Sequence, residues 1–117
     1  MGVLDRFSLQ GRAALVTGAG RGIGYALAQA LAEAGADVAC VDLNEESARK
    51  AADDFATLGV RTMALQADVT RKDQVEATVA AVVGEWGRLD IGVNNAGIAR
   101  GGKAEELSEE AWDAVLD

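Results

Sequence analysis

The chain has 117 residues, half of them apolar, and a formal net charge of −8. That length holds one domain with one sizeable core, and the acidic balance argues against a nucleic-acid partner, which needs a basic face. Aromatic residues make up only 4% and proline is absent, so Ala, Val and Leu must build the core, a composition suited to helices packed closely on a parallel sheet. One cysteine, Cys40, and no histidine leave no disulfide framework, no histidine triad and no metal site. Cys40 lies in an apolar run and reads as a buried structural thiol. No stretch reaches transmembrane length and the N-terminus lacks the apolar run of a signal peptide. A cytoplasmic protein with no membrane partner is expected.

In chain order, residues 1–11 form a lead-in, with Phe7 and Leu9 placed to pack on the first strand. Arg12–Thr17 is a short apolar strand. Gly22–Ala34 follows as a helix, with Ile23, Leu27 and Leu31 on its predicted inner face and Gly35 closing it. Asp37–Asp42 (DVACVD) is a second strand, and Glu45–Leu58 a second helix with Ala48, Ala52, Phe55 and Leu58 inward and Gly59 at its end. Arg61–Ala67 is the third strand. Lys72–Trp86 is the third helix, with an apolar stripe of Val75, Val79, Val82, Val83 and Trp86. Leu89–Asn94 is the fourth strand, and Ser108 followed by Glu109 and Glu110 is the N-cap pattern of a fourth helix. This alternation implies right-handed crossovers and an α/β fold with a parallel sheet. In the doubly wound order 3-2-1-4 the first and fourth strands adjoin at the switch point. A ligand crevice is expected there, outside their carboxyl ends.

The stretch Ala13–Gly24, AALVTGAGRGIG, organises the chain. An apolar strand breaks into a loop with glycines at 18, 20, 22 and 24 and then enters a helix. Unpaired N–H groups and a partial positive charge at the helix start suit a phosphate, and glycines let the backbone approach it closely. The G-x-G-x-x-G pattern fails, because counting from Gly18 its last glycine falls on Ile23. What stands instead is T-G-x-x-x-G-x-G, Thr17–Gly24. Asp42 ends the second strand, Asp68-Val69 the third, and Asn94-Asn95-Ala96-Gly97 follows the fourth.

These four features, in this order, resemble the short-chain dehydrogenase/reductase family from about Leu9 to Asp117. The resemblance implies a Rossmann-type sheet of order 3-2-1-4 cut after the start of the fourth helix. Residues 12–97 are then the cofactor-binding core of a dinucleotide-binding half-domain, and 98–117 a loop and the helix start. It implies NAD or NADP as cofactor, with Gly18, Gly22, Ile23, Gly24 and Leu43 among its contacts. An acid at Asp42 accepts from both ribose hydroxyls and repels a 2′-phosphate, which favours NAD. Arg21, just before the second glycine, resembles NADP-preferring members instead, or pairs with the pyrophosphate or sits in solvent. Asp42 has a bland alternative as the start of the next turn or a cap of the second helix. In the family the Asp68 position bonds the adenine amino group while the Val69 position packs on the ring; capping of the third helix by Asp68 or Thr70 is the alternative. Asn94 braces the central strands, joined by Thr17, and Asn95, Ala96 and Gly97 lie against the ribose.

The resemblance also implies a catalytic Tyr-x-x-x-Lys pair with an upstream Ser. The one tyrosine, Tyr25, has Gln29 four residues on and lies in the first helix, so no catalytic residue carries over. The expectation is the cofactor-binding half of an oxidoreductase that moves a hydride between nicotinamide and an alcohol or ketone substrate, inactive by itself. A non-catalytic NAD-binding module and a self-associating half-domain are the alternatives. An open apolar edge on the fourth strand is expected to give a homo-oligomer or pairing through that edge. The loop Ile98–Glu106, with Arg100 and Lys103, reads as a solvated connection.

Overall fold

The computed structural model describes residues 8–95. They form four parallel strands and three helices: β1 Ala13–Thr17, α1 Gly22–Glu33, β2 Asp37–Asp42, α2 Glu45–Ala56, β3 Thr62–Gln66, α3 Lys72–Trp86 and β4 Ile91–Asn94. The strand order is β3-β2-β1-β4, the doubly wound order expected. β1 is central. It pairs with β2 from Ala13↔Asp37 to Thr17↔Val41 and with β4 from Ala14↔Ile91 to Thr17↔Asn94. The expected fourth helix, with its cap at Ser108, and the placement of Phe7 lie outside the described residues. Leu9, the other lead-in residue, is half-buried and its N–H donates to the Ala34 carbonyl at 2.7 Å, so it meets the end of α1.

β1 and β2 are buried along their whole apolar run because helices cover both faces. One layer joins Val16, Val38 and Cys40 to Ala28 and Ala32 of α1 and to Ala51, Ala52 and Phe55 of α2. The other joins Leu15, Ala39 and Val41 to Val75, Val79 and Val82 of α3. Cys40 is fully buried, and burial pushes its thiol up to about 12. That makes it an inert core residue, as its sequence context implies. Tyr25 of α1 packs on Phe55 of α2 with ring centres 4.9 Å apart and planes tilted by 46°, and its hydroxyl donates to Asp54 Oδ2 at 2.8 Å. The hydrogen bond to that carboxylate, with burial adding to it, raises the Tyr25 hydroxyl above its ordinary value. Tyr25 is thus a clamp between two helices.

The inward face of α1 departs from expectation. Gly24, Ala28 and Ala32 face the sheet, whereas Ile23 and Leu27 are 72% and 41% exposed and Leu31 is half-buried. Both stripes repeat every four residues, but only the small one lets α1 lie close against β1 and β2. In α3, Val83 is 39% exposed and Thr78 is buried in its place. The Thr78 hydroxyl donates to the Val75 carbonyl at 2.7 Å, so it enters the core already paired. Leu58 is 45% exposed because α2 ends two residues before it, at Ala56.

The amino ends of the strands are clipped by acid–arginine pairs. Asp37 of β2 accepts from the Arg61 N–H at 2.8 Å and pairs with the Arg61 guanidinium at 2.7 Å, and that guanidinium lies 5.5 Å over the Trp86 ring. Asp90, just before β4, accepts from the Ala13 N–H at 2.8 Å and pairs with Arg88 at 2.7 Å. The Arg88 hydrogen bond and the Ala13 amide hold Asp90 down to about 2, below its ordinary 3.8. A depressed acid contributes stability above its unfolded value, and that contribution is lost as pH falls through its folded value. The stability of the wild type to urea is therefore expected to fall as pH drops from about 4 to about 2. Asp90→Asn should cost about 1 kcal/mol at neutral pH and show a flatter decline across that window.

Candidate functional site

The loop after β1 turns twice through backbone that favours glycine. Gly18 has φ 65° and Gly22 φ 60°. Between them the Ala19 N–H donates to the Val41 carbonyl at 3.1 Å, and the Gly20 N–H donates to Asp42 Oδ2 at 3.0 Å. The loop therefore lies across the carboxyl end of β2. It delivers the chain to α1 with Arg21 as N-cap, making no side-chain cap and with no acid in the first turn. α2 is built the other way: Asn44 caps the Ser47 N–H at 3.0 Å, and Glu45 and Glu46 occupy its first turn. The start of α1 is left positive and without a side-chain cap, which suits an incoming anion.

Gly24 fixes how α1 leaves the loop. A Cβ there would collide with the Gly18 carbonyl oxygen and stand 2.7 Å from the Gly18 carbonyl carbon and 2.8 Å from Asn95 Nδ2. Only glycine lets the first turn of α1 pass so near the loop. The same close approach brings Asn95, just after β4, against the glycine turn. Thr17 Oγ1 lies 3.3 Å from the Val93 carbonyl oxygen and 3.2 Å from Asn94 Oδ1, so the end of β1 is tied to β4 by side chains as well as by the ladder. The expected partnership of Thr17 with Asn94 is present. Ala96 and Gly97 lie outside the described residues.

A shallow recess opens beside the loop, lined by Gly18, Val41, Asp42, Leu43, Ala67, Asp68 and Val69. Asp42 is only 6% exposed, and its Oδ1 accepts from the Asn44 N–H at 3.0 Å. Leu43 is 54% exposed on the rim. Asp68 Oδ1 accepts from the Thr70 N–H at 2.9 Å and the Thr70 hydroxyl at 2.6 Å, while the Asp68 N–H donates to Gln74 Oε1 at 2.7 Å. Asp68 thus shapes the turn into α3 and still lines the recess. The cap position of α3 is Arg71, without a side-chain bond, so neither Asp68 nor Thr70 is its N-cap residue. Val69 is 6% exposed and packs with Val41 and Val75.

The fold brings Gly18, Gly22, Gly24, Asp42, Leu43, Asp68, Val69 and Asn95 to the carboxyl end of the sheet. Arg21 and Ile23 stand on the outer side of the loop, both exposed. Sequence reasoning missed Asn44 and Ser47. Asn44 bonds Asp42 and caps α2, and the Ser47 Cβ lies where a Cβ on Gly20 would fall. The signal for them was an Asn three residues before a Ser at a helix start, which marks a cap but says nothing of what the cap lies against.

A glycine turn at the switch point of a 3-2-1-4 parallel sheet defines a Rossmann-type α/β fold. The family model described as short chain dehydrogenase matches residues 12–117. The chain belongs to the short-chain dehydrogenase family. It is 46% identical over 110 residues to a D-threitol dehydrogenase of Mycolicibacterium smegmatis, covering 94% of this chain and 42% of that protein. It is 41% identical over 117 residues to a probable NADP-dependent mannitol dehydrogenase of Yarrowia lipolytica, covering 98% of this chain and 42% of that one. Among solved structures, a 7α-hydroxysteroid dehydrogenase complexed with NADH and 7-oxo glycochenodeoxycholic acid superposes with a TM-score of 0.75 at 35% identity, covering 80% of this chain and 37% of that one. The chain spans less than half the length of these relatives. Among the described residues no helix is long and apolar enough to cross a membrane.

Gly24→Ala should lower stability to urea by about 1–3 kcal/mol through overpacking against Gly18. Gly84→Ala, where a Cβ meets nothing within 4 Å in the interior of α3, should raise it by about 0.5–1 kcal/mol.

Proposed function

We propose that this chain is the cofactor-binding part of an NAD(P)-dependent oxidoreductase that moves a hydride between a nicotinamide and an alcohol or ketone carbon. The observation that carries the reading is the close-packed turn at Gly18–Gly24, which opens α1 without a cap or a first-turn acid. A pyrophosphate supplies the negative charge that this helix start lacks. When bound, the dinucleotide supplies the hydride donor or acceptor at the nicotinamide. The chain's own residues bind and orient it. Gly18, Gly22, Ile23 and Gly24 form the phosphate cradle. Asp42 and Leu43 flank the adenosine ribose, Asp68 and Val69 the adenine, and Asn95, Ala96 and Gly97 the second ribose. Residues 12–97 are the unit that does this.

NAD is the favoured cofactor. Asp42 stands at the end of β2 in the lining of the recess, and its carboxylate repels a 2′-phosphate at close range, whereas Arg21 is exposed to solvent, where its charge is screened. The relatives' names support the family chemistry without deciding this preference. A small alcohol or ketone is the substrate only of the complete enzyme. Assembly as a homo-oligomer, or through the edge of β4 that faces away from β1, is part of the same proposal, because β4 pairs with β1 alone among the described residues.

Calorimetric titration with NADH and NADPH at one ionic strength tests the reading. Saturable binding with NADH at least about tenfold tighter is expected, a difference of about 1.4 kcal/mol. A preference for NADPH would overturn the role given to Asp42, and binding of neither would overturn the cofactor-binding role of this chain.

A further inference from the structure

Asp42 does more at this site than face a ribose. It is buried to 6% exposure, and its two carboxylate oxygens are divided between two backbone amides. Oδ2 takes the Gly20 N–H at 3.0 Å and Oδ1 takes the Asn44 N–H at 3.0 Å. Gly20 is the middle of the phosphate loop, and Asn44 is the N-cap of α2, whose Oδ1 holds the Ser47 N–H at 3.0 Å. Ser47 in turn packs on Gly20: a Cβ at Gly20 would collide with the Ser47 Cβ and stand 2.8 Å from Asp42 Oδ2. Loop, strand end and helix cap close into one ring around a single carboxylate.

We propose that Asp42 is a positioning residue for the phosphate loop, a latch whose carboxylate holds Gly20 against the start of α2 before any dinucleotide arrives. The proposal rests on the dinucleotide reading for its purpose, and its geometry is made by this chain's own atoms alone. Two amides directed at one carboxylate form charge-assisted hydrogen bonds, which are stronger than neutral ones. The latch fixes the loop at Gly20, midway between its two left-handed glycines, Gly18 and Gly22, and so removes ordering that binding would otherwise have to supply. A consequence separates it from simple ribose recognition. Exchanging Asp42 to admit a 2′-phosphate loosens the loop that both cofactors use, so affinity for NADH and for NADPH falls together.

Asp42→Glu distinguishes the two roles. A glutamate keeps the charge and can serve a ribose, but its added methylene cannot hold both amides from a nearly closed position. Amide hydrogen exchange is measured on the ligand-free protein, beside titrations with NADH and NADPH. In the wild type the Gly20 and Asn44 amides are expected to be protected. In Asp42→Glu both should exchange about tenfold faster or more, while Leu15, Val16, Ala39 and Cys40 in β1 and β2 keep their protection. Asp42→Asn, with the same shape and one remaining acceptor oxygen, should free one of the two amides and spare the other. Both cofactors should bind Asp42→Glu more weakly by a similar factor. An unprotected Gly20 in the wild type, or unchanged Gly20 exchange in Asp42→Glu with Asp42→Asn equally unchanged, overturns the latch. A protected wild-type Gly20 that Asp42→Glu releases, in a protein that binds neither cofactor, supports the latch and removes the dinucleotide reading instead.

Discussion

The carboxyl end of the sheet depends on how closely the backbone passes itself between Gly18 and Gly24. The missing Cβ at Gly24 lets the first turn of α1 lie on the Gly18 carbonyl. From that contact the axis of α1 follows, and with it the burial of Ala28 and Ala32 on the sheet. The same contact draws the Asn95 side chain against the turn. A larger residue at 24 would push helix, loop and β4 end apart together, because interiors at this density relay displacement.

The two ends of the sheet handle acidic residues differently. At the amino ends, Asp37 and Asp90 are paired with Arg61 and Arg88, and Arg12 lies 3.6 Å from Asp90. These pairs fasten strand starts and neutralise the charge. At the carboxyl ends, Asp42 is bonded by backbone amides and Asp68 by the Thr70 amide and hydroxyl. At Asp42 the two amides orient the carboxylate without cancelling its charge, which is what a site needs if the carboxylate is to discriminate between a ribose hydroxyl and a phosphate. In a chain of net charge −8, the placement of the acids carries this information and their number does not.

Much of this was legible in the sequence. The alternation of apolar runs with glycine-closed helices located all seven described elements, the parallel sheet followed from crossover handedness, and its order 3-2-1-4 was what the doubly wound family resemblance implied. The glycine spacing from Thr17 to Gly24 and the acids at 42 and 68 were readable as strand-end features because strand ends are marked by a change of composition. The faces of α1 were not readable. Ile23, Leu27 and Leu31 form the more hydrophobic stripe, and Gly24, Ala28 and Ala32 the smaller one. Hydropathy favours the first, but the distance at which a helix can lie on a sheet selects the second.

By itself, then, the sequence determined the element order, the location of the glycine turn and the chemical type of each strand-end residue. These are local properties, set by backbone permissiveness, apolar runs and charge. Tertiary structure alone decided that Gly20, Asp42, Asn44 and Ser47 would meet and that Tyr25 would clamp α1 to Asp54 on α2. Each of these joins residues on different elements, and the distance between them depends on how closely helices and strands pack, which no spacing along the chain encodes.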